Sequence, residues 1–162
     1  EIHERLVGSE MCIRDSPLID PMTGSGTLAI EAALIAKNIA PGTWRKFAFD
    51  GFDWFNTNLH KEALAKAKAE VKSLEAPIWA SDIDQSVLEI AKLNAHNAGV
   101  LQDIRFKQVA VKDFTTDLEN GIIIANPPYG KRLKDRESAE ELYKQMGEAL
   151  RPLDSFLSLI HI

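Results

Sequence analysis

A single cysteine, Cys12, stands among 162 residues. One thiol excludes an internal disulfide framework and a Cys-based zinc cluster, so no metal is expected, and the scarcity fits a reducing cytosol. No apolar run approaches the roughly eighteen residues that span a bilayer. The opening stretch EIHERLVGSE carries charge where a signal peptide needs an apolar segment. A cytoplasmic protein is therefore expected. Positive charge is also in deficit: the formal net charge is -5, so any nucleic-acid role must rest on a local basic patch or on a further domain. What the chain does have is apolar content, 45% of its residues, which supplies a sizeable core for one domain of this length.

Along the chain, short apolar runs alternate with helical ones. PLID (17–20) reads as a buried strand, and GSGTLAIEAALIAKN follows as a helix apolar almost all round, which must be covered on most sides. PIWASD (77–82) is the next strand; DQSVLEIAKLNAHNAG is a helix with Asp84 as N-cap and Gly99 as its stop. IRFKQV (104–109) and GIIIANPP give a third and a fourth strand. ESAEELYKQMGEALRP closes with Ala139, Leu142, Met146, Ala149 and Leu150 at helical spacing. This order predicts an α/β fold with a mostly parallel sheet and helices on both faces. One segment interrupts it. PGTWRKFAFDGFDWFN (41–56) holds six aromatics, which predicts a hydrophobic lid on one sheet face, with base stacking as the alternative; an exposed helix, NLHKEALAKAKAEVKSL, follows.

The loop DPMTGSGT (20–27) joins the first strand to the first helix. Gly24 and Gly26 let backbone approach a ligand and take positive φ, and the helix start at Thr27 offers unpaired N–H groups. The string also satisfies G-x-G-x-x-A, so a dinucleotide site competes. Asp20 separates the two: a carboxylate at the strand end repels a pyrophosphate but suits the α-ammonium of S-adenosylmethionine. Asp82, ending the second strand, is placed to accept from ribose hydroxyls. Ile83 can pack on an adenine face, and Asp113, after the third strand, can accept from the adenine amino group.

The fourth strand ends on Asn126, Pro127, Pro128 and Tyr129. Proline has no N–H for a sheet ladder, so the pair ends the strand and stiffens it. Stiffness serves a chemistry in which the Asn126 Oδ1 and a backbone carbonyl both grip one exocyclic NH2. Two such acceptors orient the nitrogen lone pair and stabilise the charge that grows on it. Tyr129 would stack on the base, which must first leave any duplex. The basic run KRLKDR (131–136) puts Lys131 and Arg132 beside this pocket as phosphate contacts.

In chain order, DPMTGSGT, Asp82 and NPPY resemble the S-adenosylmethionine methyltransferases of exocyclic amines, whose signature is [DNS]-P-P-[YF]. The strings PLIDPMTGSGTLAIEAALIAKNIAPG, FAFDGF, SDIDQSVLEIAKLNAHNAGV and IIIANPPYGKRL are similar to one branch, the THUMP-containing bacterial rRNA guanine-N2 methyltransferases of the RlmL type. The similarity covers about residues 17–156. It implies a Rossmann-like methyltransferase fold, S-adenosylmethionine as cofactor and guanine N2 of large-subunit ribosomal RNA as target. Methylation of tRNA guanine or of adenine N6 in DNA or RNA is the alternative, since NPPY does not choose the base. A non-catalytic RNA-binding remnant and an NAD-dependent oxidoreductase are more remote. The resemblance also implies that Asp20, Gly24, Gly26, Asp82 and Asp113 line the donor site and that Asn126 to Tyr129 hold the base.

Some features depart from that family, which often has cysteine at the position of Thr23. Residues 1–16 and 157–162 fit neither the family nor the periodicity and are expected to be non-native, leaving 17–156 as an incomplete methyltransferase domain. The THUMP domain that would grip RNA is expected in the full-length protein and is absent from this chain, as are the last strands of the sheet. Four strands would leave an apolar edge uncovered, which predicts poor solubility or weak activity for the chain alone.

Overall fold

The computed structural model describes residues 15–43, 45–128 and 136–160. Strands β1 (Leu18–Asp20), β2 (Ile78–Asp82), β3 (Ile104–Gln108), β4 (Ile122–Ala125) and β5 (Leu157–Ile160) form one sheet in the order β3-β2-β1-β4-β5. Every pairing is parallel, and parallel neighbours need long crossovers. Helices α1 (Thr27–Ala36), α3 (Gln85–Asn97) and α4 (Arg136–Leu150) run in those crossovers, and α2 (Thr57–Ala69) stands in the long connection from β1 to β2.

Alternation along the strands sorts the core onto two faces. Leu18, Ile78, Ala80 and Ile104 pack with Ala29, Ile30, Ala33 and Leu34 of α1 and with Ala95 of α3. Ile19 and Ile123 pack on the other face with Phe114, Phe156 and Leu150 of α4. The apolar α1 is covered as its composition requires, with Ala29, Ile30, Ala32, Ala33, Leu34 and Ala36 all buried. The sequence cues for α3 also hold. The Asp84 side chain accepts from the Ser86 N–H at 2.8 Å, and Gly99 takes φ 75 just past the helix. This is the doubly wound arrangement expected.

Two expectations fail. The sheet has a fifth strand: Leu157–Ile160 pairs with β4, Ile122 opposite Leu157 and Ala125 opposite Ile160. The edge expected at β4 is thus covered, and Leu157, 67% exposed, stands on the new edge strand. The aromatic segment, moreover, is not a lid on a sheet face. Phe47 stacks on Phe49 at 5.1 Å, Phe49 meets Phe55 at 4.9 Å, and Phe55 meets His60 of α2 at 5.4 Å. The rings satisfy one another instead of the sheet, and among the described residues none of them joins a core cluster. Phe52 and Trp54 remain exposed. Among the described residues no helix is long and apolar enough to cross a membrane.

Candidate active site

The chain winds from β1 through β2 to β3 in one direction, then crosses back to lay β4 on the other side of β1. Crevices for ligands open outside the carboxyl ends of strands where the winding reverses. Here that point lies between β1 and β4. Asp20 ends β1, Asp82 ends β2 and Asn126 directly follows β4, so parallel pairing brings three of the sequence-picked residues to one end of three adjacent strands.

Asp20 is the anomaly of the fold. It is 0% exposed, yet among the described residues neither carboxylate oxygen finds a hydrogen-bond partner. Burial pushes its carboxyl up to about 7; the Thr23 hydroxyl and the Met22 N–H oppose the rise without completing a bond, and the Asp82 carboxylate adds to it. The Thr23 and Ser81 hydroxyls are likewise buried and unpaired among the described residues. Buried polar groups are seldom left so. A bare carboxylate under a glycine loop fits a cationic, hydrogen-bond-donating ligand and would repel a phosphate.

The loop above Asp20 is held by backbone and by side chains. Thr23 N–H donates to the Ser81 carbonyl at 2.9 Å, and Gly26 N–H to the Thr23 carbonyl at 2.8 Å. Gly24 N–H donates to Asp82 Oδ2 at 3.0 Å, while the other oxygen of Asp82 accepts from Asp84 N–H at 3.1 Å. Each of these oxygens keeps a second lone pair for a ligand hydroxyl. Gly24 has φ +54, and a Cβ placed there would meet nothing within 4 Å, so it opens onto free space. Gly26, at φ +88, packs against α3, where a Cβ would lie 3.1 Å from that of Ala91. Among the described residues no side chain caps α1, which leaves its first-turn N–H groups, from the exposed Thr27 onward, open at the loop.

The other expected residues divide. Ile83 is 69% exposed beside Asp82, and its carbonyl is fixed by the Gln108 Nε2 at 3.0 Å. Asp113 is exposed at the end of a 3-10 turn, Val111–Asp113, beyond β3. Asn126 is exposed, Pro127 buried and Pro128 half-buried, so one buried ring anchors the strand end beside an accessible Asn126. Tyr129, Lys131 and Arg132 lie outside the described residues. Sequence reasoning missed Ser81 and also Asn94, whose Nδ2 donates to the Ser25 carbonyl at 2.9 Å; no local signal marks a bond across 69 positions. A separate cleft of about 370 Å3, lined by Ile35, Ile39, Pro41, Ala67 and others, sits at the far end of α1 from the loop and carries none of these groups.

Comparison with known proteins decides the class. The profile of UPF0020, "RMKL-like, methyltransferase domain", matches residues 6–157. The chain belongs to this family. It is 49% identical over 144 residues to "Putative RNA methyltransferase YpsC" of Bacillus subtilis (strain 168), covering 88% of this chain and 37% of that protein. It is 41% identical over 151 residues to "Ribosomal RNA large subunit methyltransferase K/L" of Shewanella baltica (strain OS185), covering 90% of this chain and 21% of the relative. Among solved structures it is similar to SMU.472, "a putative methyltransferase complexed with SAH", with TM-score 0.87 and 39% identity over 91% of this chain and 39% of that one. A "predicted N6-adenine-specific DNA methylase" from Listeria monocytogenes str. 4b F2365 superposes with TM-score 0.84 and 41% identity, over 91% and 39% of the two chains. The chain thus spans between about a fifth and two fifths of the length of these relatives. The fold is that of an S-adenosylmethionine-dependent methyltransferase, as expected, and the oxidoreductase alternative falls away.

Proposed function

We propose that this domain transfers a methyl group from S-adenosylmethionine to the exocyclic N2 amine of a guanine in large-subunit ribosomal RNA. The observation that carries the donor site is the buried, unpartnered Asp20 carboxylate at the strand end. Asp20 would take the ammonium of the amino-acid end, and the open N–H groups at the start of α1 would take its carboxylate. The free lone pairs of Asp82 would accept from the ribose, Ile83 would cover one adenine face, and Asp113 would accept from the adenine amine. When bound, the donor supplies an electrophilic methyl on a sulfonium.

Asn126 does the chain's part at the acceptor. Its Oδ1 and a neighbouring carbonyl would hold the amine protons, aim the nitrogen lone pair and stabilise the positive charge forming there. The buried Pro127 keeps that pair from swinging, and Tyr129 would stack on the base. No general base is required if the proton leaves to water after transfer. Ribosomal RNA as substrate is supported by the name of the Shewanella relative, and guanine N2 by the motif strings quoted above. A THUMP-type domain in the longer protein would supply the RNA grip that a net charge of -5 does not.

The name of the Listeria relative, a predicted N6-adenine-specific DNA methylase, favours adenine N6 as a second reading. One experiment separates them: incubate the protein, extended to its relatives' full length, with radiolabelled donor and rRNA, tRNA or DNA, then digest to nucleosides. N2-methylguanosine from rRNA is expected. N6-methyladenine would overturn the choice of base, and no labelled nucleoside would overturn catalysis. Asn126→Ala should lower turnover at least about a hundredfold, the scale of losing one transition-state acceptor, with donor affinity unchanged.

A further inference from the structure

We propose that Asn94 is a positioning residue of the donor site, fixing the glycine loop from behind through helix α3. The inference deepens the methyl-donor reading and rests on it. The loop has a conformational problem of its own. Gly24 and Gly26 both take positive φ, at +54 and +88, and glycine is the residue with most freedom to leave such a state. Ser25 between them is exposed and buries nothing that would hold it. Its carbonyl is taken by the Asn94 side chain at 2.9 Å.

Helix α3 is built to deliver that contact. It starts directly beyond Asp82, which already binds the Gly24 N–H at 3.0 Å. Leu88, Ala91 and Ala95 form its buried face. Ala91 abuts Gly26, where an added Cβ would come within 3.1 Å, and Asn94 follows one turn later, as i and i+3 share a face. One helix therefore seats the loop by contact at Gly26 and by hydrogen bond at Ser25, while the strand end before it holds Gly24. Asparagine is a weak helix former, so its place in the last turn of α3 has little local support, while the distant bond favours it.

The test reads the loop without any ligand first. Amide hydrogen exchange over residues 23–28 and calorimetric binding of S-adenosylhomocysteine are measured on the 162-residue chain and its variants. Asn94→Asp keeps the shape, removes the donor and points an acceptor at a carbonyl. It should speed loop exchange and weaken binding, each about tenfold, the scale of one lost hydrogen bond, with the melting midpoint nearly unmoved. Asn94→Gln, which keeps an amide donor, should recover part of both. Asn58→Asp, the same change at an exposed site of α2, should alter neither. Loop exchange in Asn94→Asp equal to the parent overturns the proposal. So does a fall in melting midpoint, in both Asn94 variants, large enough to account for the lost affinity. A parent chain that binds no S-adenosylhomocysteine while its loop responds to Asn94→Asp overturns the donor reading instead.

Discussion

At neutral pH the Asp20 carboxyl stands near the middle of its titration, because burial has pushed it up to about 7. An aspartate in the unfolded chain has a pKa of 3.8. Below that pH both states are protonated and Asp20 leaves stability untouched. Between 3.8 and about 7 only the unfolded chain ionises, so stability falls as pH rises. Above about 7 the loss is complete and amounts to about 4 kcal/mol at 1.36 kcal/mol per unit. A ligand ammonium reverses the balance, since it requires the ionised form and repays its desolvation by pairing. Donor affinity should therefore climb between pH 6 and 8 and then level, with proton release near pH 7. Calorimetry of S-adenosylhomocysteine in buffers of different ionisation enthalpy checks this. Asp20→Asn should bind at least about a hundredfold more weakly, the scale of a lost charge-assisted contact, yet melt no lower than the parent at pH 8. A variant that keeps the parent's affinity and its pH dependence would remove Asp20 from the site.

Elements built by local rules were legible in the sequence, and those decided by distant partners were not. The apolar runs at β1, β2 and β4 read as buried strands, and Asp84 and Gly99 bracket α3 by capping chemistry that acts within a turn. Asp20 was readable as an acid at a strand end, but its complete burial, shared by Thr23 and Ser81, is a tertiary outcome that no local pattern announces. The rings of segment 41–56 showed that something apolar would form without showing what it would touch, because aromatic faces pack as readily on each other as on a sheet. β5 is four residues long, too short for periodicity to separate strand from loop. The glycine loop shows both kinds of information at once. Its composition marks a turn, while only the structure separates Gly24, open to space, from Gly26, pressed on α3. Gly26→Ala must hold φ +88 with its Cβ 3.1 Å from Ala91 and 3.2 Å from Ile30; it should destabilise the fold by about 2–4 kcal/mol, combining left-handed strain with overpacking. Gly24→Ala meets only the strain of φ +54, about 1–2 kcal/mol. Urea denaturation of both variants checks the ordering, and equal losses would mean that α3 yields at Ala91.

For the whole molecule, the proposed RNA substrate raises the question of how a domain of net charge -5 would meet it. The β3 edge carries Arg105 and Lys107, both exposed; such charges keep a sheet edge from pairing with other strands and sit one strand beyond Asp82 rather than beside Asn126. The basic side chains that follow NPPY in sequence are Lys131 and Arg132, and the strand end that leads to them is anchored by the buried Pro127. A phosphate contact at this place would position the strand while leaving the choice of base to the pocket. It also has a thermodynamic mark that a solvated loop lacks. Each phosphate neutralised on a single strand steepens the fall of log affinity with log salt by about 0.7. Lys131→Gln with Arg132→Gln should therefore weaken RNA binding and flatten that slope by about 1.4, while S-adenosylhomocysteine binding stays as in the parent. Fluorescence anisotropy with a labelled rRNA fragment across a salt series measures it in the protein extended to its relatives' length. A slope that does not change would place the RNA contacts elsewhere, in the portion of the relatives that this chain does not span.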